Sequence, residues 1–481
     1  MTSVSTDDTR PALLHDRSFW GLNLTQFLGA FNDNLFKQLV MLLCVDRALK
    51  GEQDLQGLAM FLFAWPFIAL SGFAGFLSDR YSKRTIIVLC KVAEIGIVML
   101  GLIGFVTGDL AVLLGVLCLM GFHSAFFGPS KYGILPEMLR TTDLPRANGT
   151  MLMATFLAII FGLSAAGAAK QAFSNSLWIA SLPCLVIACV GFCSALLIRP
   201  TPVAQPHLVF DWSSMAVAPD TRKLLARERT LLGVLLMSSV FWFVGGTVYP
   251  PAINAFGKEQ LGLDYFETGA MAASTGLGIA IGCVLAGFLS KDRVRGWLVR
   301  VGAWGLTLSL AAICLPGPGF DAVRQEIRQT KLRRQQTTNS APHSSAPRSP
   351  TAQRDESDPD SAASSGVLAM SSRQRGSLLG PWGSVVALIA VGVFAGFFSV
   401  PLQVYLQTAA PSDQKGRIIG AMNLVNWIGI AGSGIVYSIG RFLLVDWLEL
   451  PHATLFGFAA VLMLPVALFY RPPETQAANG L

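Results

Sequence analysis

Charge is scarce in this 481-residue sequence. Asp, Glu, Lys and Arg make up 14% of it, where a soluble domain carries about 25%. So few charges cannot cover the surface of a soluble protein this long, which leaves an integral membrane protein. The net charge of +7 is not a nucleic-acid footprint, because Lys and Arg lie in loops between apolar runs rather than in one stripe. The eight cysteines contain no CxxC and no His-paired metal spacing. They read as small hydrophobes, and no metal or cofactor is expected. No catalytic constellation is present, so an enzyme is not expected either. The N-terminus, MTSVSTDDTRPALLHDR, lacks the basic-then-apolar order of a cleaved signal.

What the sequence does have is long apolar runs. A spanning helix needs about 20 mostly apolar residues. Twelve windows qualify: 19–45, 55–77, 84–107, 109–129, 147–170, 176–198, 231–256, 266–290, 296–316, 381–405, 417–441 and 453–470. The predicted fold is an all-α membrane protein with 12 transmembrane helices in two six-helix halves, residues 1–198 and 231–470. A polar linker, 199–230, separates them and carries the basic amphipathic piece TRKLLARERT, suited to a membrane surface. With the N-terminus inside, inner segments hold nineteen Lys and Arg, and short outer loops hold five: Arg47, Lys50, Lys170, Lys258 and Arg441. By the positive-inside rule both termini, including the tail 471–481, are cytoplasmic. Residues 317–380 are rich in Ser, Ala, Gln, Pro and Arg. That composition predicts a disordered outer insert, read as a tolerated insertion or as a tether for a partner.

An internal repeat defines the architecture further. After the second span the chain reads Gly75-Phe-Leu-Ser-Asp79-Arg80-Tyr-Ser-Lys83-Arg84; after the eighth it reads Gly287-Phe-Leu-Ser-Lys291-Asp292-Arg293. AFFGPSKYGILPEM in the fourth span matches GFFSVPLQVYLQTA in the tenth. Matched signals six spans apart indicate parallel duplication. The first signal resembles the signature between helices 2 and 3 of the major facilitators. That resemblance implies the facilitator fold and makes Gly75, Asp79, Arg80, Lys83 and Arg84 a latch between the halves on the inner side. Asp79 can pair with Arg80, Lys83 or Arg84, or cap a helix of the other half.

Several charges fall inside spans. Asp33 and Lys37 lie four apart in the first, and Lys91 and Glu94 three apart in the third. A charge at the bilayer centre costs about 2.5–3.5 kcal/mol, so these groups face a cavity or one another. They are read as internal ion pairs or as substrate or ion contacts. Lys131, at the inner end of the fourth span, either attracts a phosphate or marks the membrane edge. Asn148 reads as a cap opening the fifth span. Tyr249, Pro250 and Pro251 break the seventh helix.

The segments TQFLGAFNDNLFKQ, FGPSKYGILPEML, RANGTMLMATFLAIIFG and GFFSVPLQVYLQ resemble the bacterial lysophospholipid transporter branch of the major facilitators. They resemble in particular the transporter portion that occurs fused to a phospholipid acyltransferase. The resemblance implies a bacterial inner-membrane transporter, with Asp33 and Lys131 in the substrate cavity and Glu137 at the inner gate. It also implies a separate acyltransferase as a partner, since none of the five His has the Asp five residues on that such an enzyme needs. The sequence departs from the branch at Tyr249, about where the family has an Arg in helix 7. Two rival readings are an ion-coupled transporter of another amphiphile, using Asp33 or Glu94 as proton site, and a non-transporting scaffold for an acyltransferase.

Overall fold

In a bilayer core no water can satisfy backbone N–H and C=O groups, so apolar spans close their hydrogen bonds as helices. The computed structural model describes residues 10–49, 55–173, 176–290, 293–339, 376–473 and 475–476. Every apolar window is helical. The N-terminal half contains α1 (Arg17–Leu49), α2 (Gln56–Arg80), α3 (Lys83–Thr107), α4 (Leu110–Gly133), α5 (Leu144–Ala172) and α6 (Leu177–Leu196). The C-terminal half contains α7 (Arg229–Thr247), α8 (Tyr265–Ser290), α9 (Gly296–Cys314), α10 (Gly380–Ala409), α11 (Lys415–Arg441) and α12 (Thr454–Phe469). Ten of these are long and apolar enough to cross a membrane. The exceptions are α1, whose middle carries Asn32, Asp33, Asn34 and Lys37, and α12, which is 16 residues long. As the double proline requires, α7 is broken: π-helical turns at Val248–Ala252 and Phe256–Leu261 extend it.

The halves repeat one packing plan. In the first, α1 packs on α5 and α6, α2 on α4, and α3 on α4 and α6; in the second, α7 packs on α11 and α12, α8 on α10, and α9 on α10 and α12. Two seams join them, α2 with α11 and α5 with α8, which the repeat makes equivalent. Glycine allows the helices to touch at both. A Cβ on Gly75 would lie 2.8 Å from the Gly416 carbonyl oxygen, and one on Gly149 2.4 Å from that of Cys283. Both contacts lie toward the end where α2 finishes and α11 begins. There a single apolar core runs from the C-terminal half into the base of the N-terminal half. The far part of the N-terminal half, around Phe36, Leu117 and Cys184, has a core of its own. The molecule is shut at the basic end.

Both described chain ends meet that shut end. Arg10 donates to the Leu139 carbonyl beyond α4, and Thr475–Gln476 pairs antiparallel with Arg293–Val294 after α8. The basic piece of the linker is helical over Pro219–Arg227. The insert corrects the sequence reading in part. Phe320–Asn339 is a helix, because its run of Arg, Gln and Lys favours helix where the average over 317–380 is dominated by Ser and Pro. Residues 340–375 lie outside the described residues. That helix sits at the opposite end, where Arg328 lies 3.6 Å from Glu449 and Arg324 donates to the Leu448 carbonyl at 3.3 Å. Nearby, Glu259 accepts two hydrogen bonds from Arg441, each 3.0 Å, and lies 3.1 Å from His452. Burial pushes the Glu259 carboxyl up, but Arg441 and His452 outweigh it and hold it below its ordinary value. Burial holds His452 below its own, against the pull of Glu259.

Candidate functional site

Between the halves lies a cavity of about 280 Å³. The polar middle of α1 supplies Asp33, Asn34 and Lys37, and α5 supplies Asn148 and Thr155. From the other half come Ser238 on α7, Ser399 and Gln403 on α10, and Asn423 and Asn426 on α11. Aromatic pairs flank these groups across the boundary between halves. Phe67 of α2 stacks on Trp427 of α11 with centroids 4.1 Å apart, and Phe156 of α5 faces Trp242 of α7 at 6.4 Å.

Asp33 and Lys37 share the cavity but do not pair. Ser124 on α4 donates to Asp33 Oδ2 at 2.7 Å. Lys37 instead donates to Asn34 Oδ1 at 3.1 Å and lies 4.8 Å from the centroid of the Phe63 ring. The i,i+4 ion pair is therefore corrected: Asp33 turns toward α4 and Lys37 toward α2. Three buried atoms on the lining have no hydrogen-bond partner among the described residues: Asp33 Oδ1, Ser399 Oγ and Gln403 Nε2. An acceptor on α1 and potential donors on α10 thus remain open, and leaving such groups unpaired costs about 1–3 kcal/mol each.

Lys91 and Glu94 form the expected pair, Nζ to Oε2 at 2.5 Å, but away from the cavity lining. Asn32 donates to Glu94 Oε1 at 2.9 Å, and His123 Nε2 lies 3.8 Å from Oε2. Lys131 also stands off the lining, donating to Gln26 Oε1 at 3.1 Å with its Nζ 5.0 Å from the Tyr132 ring centroid; Tyr132 itself lines the cavity. Tyr249 falls in the broken stretch of α7, and its side chain lies outside the described residues. Asn148 is not a cap. The helix starts four residues earlier at Leu144, and Asn148 exchanges two hydrogen bonds with Gln407 of α10, 2.7 and 2.9 Å long. This amide pair joins the halves beneath the cavity.

The inner latch has a clear geometry. Asp79 Oδ1 accepts from Gly416 N at 2.6 Å; Oδ2 accepts from Arg417 N at 3.0 Å and Arg417 Nε at 3.2 Å. Asp79 thus caps α11 of the other half, where the positive end of the helix favours a carboxylate. Of the alternatives weighed from sequence, the cap is formed. The basic residues go elsewhere: Lys83 pairs with Glu137 at 2.5 Å, Arg84 donates to the Ile198 carbonyl at 2.5 Å, and Arg80 to that of Leu208. Lys291 and Asp292 of the second copy lie outside the described residues. Among the described residues no three His, Cys, Asp or Glu side chains converge as metal ligands.

In Asp79→Asn the amide nitrogen would face the Arg417 donors or the Gly416 N–H. Charge-assisted hydrogen bonds of this kind are worth about 1.5–3 kcal/mol. The variant should reach the membrane at near wild-type levels and transport about tenfold less. Wild-type transport would reduce the signature to a topology signal.

No local signal in the sequence assigns Arg417 or Gln407 its partner, Asp79 or Asn148, in the other half. Known proteins share this fold. The sequence model described as Major Facilitator Superfamily matches residues 22–323. "Lysophospholipid transporter LplT" of Klebsiella pneumoniae subsp. pneumoniae is 24% identical over 471 residues, 96% of this chain and 97% of that protein. The protein of that name from Cronobacter sakazakii is 30% identical over 244 residues, 49% of this chain and 57% of its own. Among solved structures, the facilitator FucP in the outward conformation aligns with a TM-score of 0.64 at 13% identity, covering 94% of this chain and 97% of FucP. The human organic anion transporter MFSD10 aligns at 0.63 and 14%, covering 93% and 99%. With duplicated six-helix halves, a latch at the second helix and a sequence match over more than half its length, the chain belongs to the Major Facilitator Superfamily.

Proposed function

We propose that this protein carries a lysophospholipid across the bacterial inner membrane by alternating access, and that the structure is its outward-facing state. The observation that carries the reading is the set of unsatisfied atoms facing the cavity from both halves. A lysophospholipid headgroup offers a phosphate and often an ammonium, on a single acyl chain. Asp33 Oδ1 suits the ammonium; Lys37, with Gln403 and Ser399, suits the phosphate. The Phe67–Trp427 and Phe156–Trp242 pairs offer apolar surface to the chain. The relatives aligned along nearly this whole length are named for the same cargo. Both termini are cytoplasmic in this reading, supported by the nineteen-to-five distribution of Lys and Arg and by the position of both described chain ends at the shut end. Inward movement would feed re-acylation by a separate acyltransferase.

Protein reconstituted into vesicles should move labelled lysophosphatidylethanolamine inward with saturation, with and without an ion gradient. Flux no greater than in empty vesicles would overturn the proposal. A second reading couples transport to protons through Asp33, which lines the cavity, or Glu94, which lies off it and 3.8 Å from His123. It requires that an uncoupler abolish uptake.

A further inference from the structure

The latch contains a residue that belongs to neither half. Gln205, in the linker, reaches into the α2–α11 seam through backbone and side chain. Its N–H donates to the Asp79 carbonyl oxygen at 2.8 Å. Its Nε2 donates to Asp413 Oδ2 at 2.8 Å, and its Oε1 accepts from Arg417 Nη2 at 3.0 Å. The linker then returns to the seam. A Cβ on Gly72 of α2 would meet the Ala216 carbonyl oxygen at 2.0 Å, and Asp220 lies 3.8 Å from Arg417.

Chemistry explains why an amide stands there. Arg417 is buried with Asp79 beside it, and Asp413 sits just ahead of α11. A side chain that bridges the guanidinium and the Asp413 carboxylate must accept on one atom and donate on the other, and Gln does both. An acid would set a second carboxylate against Asp413; an alkyl group would leave both partners open.

We propose that Gln205 is a positioning residue of the inner gate, a linker clasp that holds Arg417 and Asp413 in the closed seam and so sets the balance between outward-facing and inward-facing states. The proposal rests on alternating access but not on the identity of the cargo, so it stands or falls separately from lysophospholipid uptake.

The protein carries its own reporters. Cys283 is fully buried at the α5–α8 seam, its carbonyl against Gly149, so a seam that parts on the inner side would expose it. Cys184 is equally buried, but within the separate core of the N-terminal half. Full-length protein in vesicles is treated with N-ethylmaleimide, and alkylation of each cysteine is followed by peptide mass mapping. Gln205→Ala should raise the rate at Cys283 about tenfold, equivalent to about 1.4 kcal/mol, and leave Cys184 unchanged. Gln205→Glu should act in the same direction. Adding Asp413→Asn to Gln205→Glu restores a donor opposite an acceptor and should return Cys283 to the wild-type rate. An unchanged Cys283 rate in Gln205→Ala, an equal rise at Cys184, or no recovery in the double variant would each overturn the proposal.

Discussion

Glu94→Gln should be among the most damaging single substitutions in the membrane region, through stability rather than through cargo. The Lys91 ammonium lies 2.5 Å from this carboxylate, and both residues are buried. α1 yields space for it: a Cβ on Gly29 would come within 2.4 Å of Lys91 Nζ. Removing one member of a buried pair strands the other charge, at a cost of about 3–5 kcal/mol. Folded yield and melting temperature in detergent should both fall sharply. Replacing the pair together, Lys91→Met with Glu94→Gln, should recover most of the loss, because no buried charge then remains unpaired. A single variant that melts with the wild type would show that the pair contributes little, and would return Glu94 to the list of cargo contacts.

Asp33→Asn should behave in the opposite manner. Its carboxylate has one Ser124 hydrogen bond and one open oxygen on the cavity, with no ion pair to Lys37. Folding should survive, and lysophosphatidylethanolamine flux should fall by about tenfold or more, the scale of one lost charge-assisted contact. If Asp33 were chiefly a counter-ion for Lys37, Lys37→Gln added to Asp33→Asn would restore flux. The separation of the two side chains predicts that the double variant stays inactive. A double variant with wild-type flux would remove Asp33 and Lys37 from the headgroup site.

The spans were legible in sequence because hydropathy in a bilayer is a local property: the window 84–107 became Lys83–Thr107, and 296–316 became Gly296–Cys314. The Lys91–Glu94 pair was legible for the same reason, since both partners share one helix face. Asp79 was legible in part, as a possible cap whose recipient, α11, no spacing could identify. Of the two readings open for Asp33 and Lys37, the ion pair does not form, because the direction of Asp33 is set by Ser124, 91 residues along the chain. The Asn148–Gln407 pair spans 259 residues, beyond any periodicity. Gln205 sits in irregular chain, where no pattern marks one polar residue above its neighbours. In the insert, one average over 317–380 concealed a stretch of good helix formers before Asn339.

The unequal division of the apolar interior has a thermal consequence. One core is continuous across the shut end, whereas the far part of the N-terminal half keeps a core of its own. Opening the shut end splits the continuous core and wets apolar faces. Exposure of apolar surface to water raises heat capacity, so opening of the inner end contributes curvature to the van't Hoff plot of the two facing states, and closure of the outer end contributes curvature of the opposite sign. Cooling weakens the apolar attraction that keeps the inner end shut, leaving a larger share of the closure to the polar contacts of Asp79 with Gly416 and Arg417.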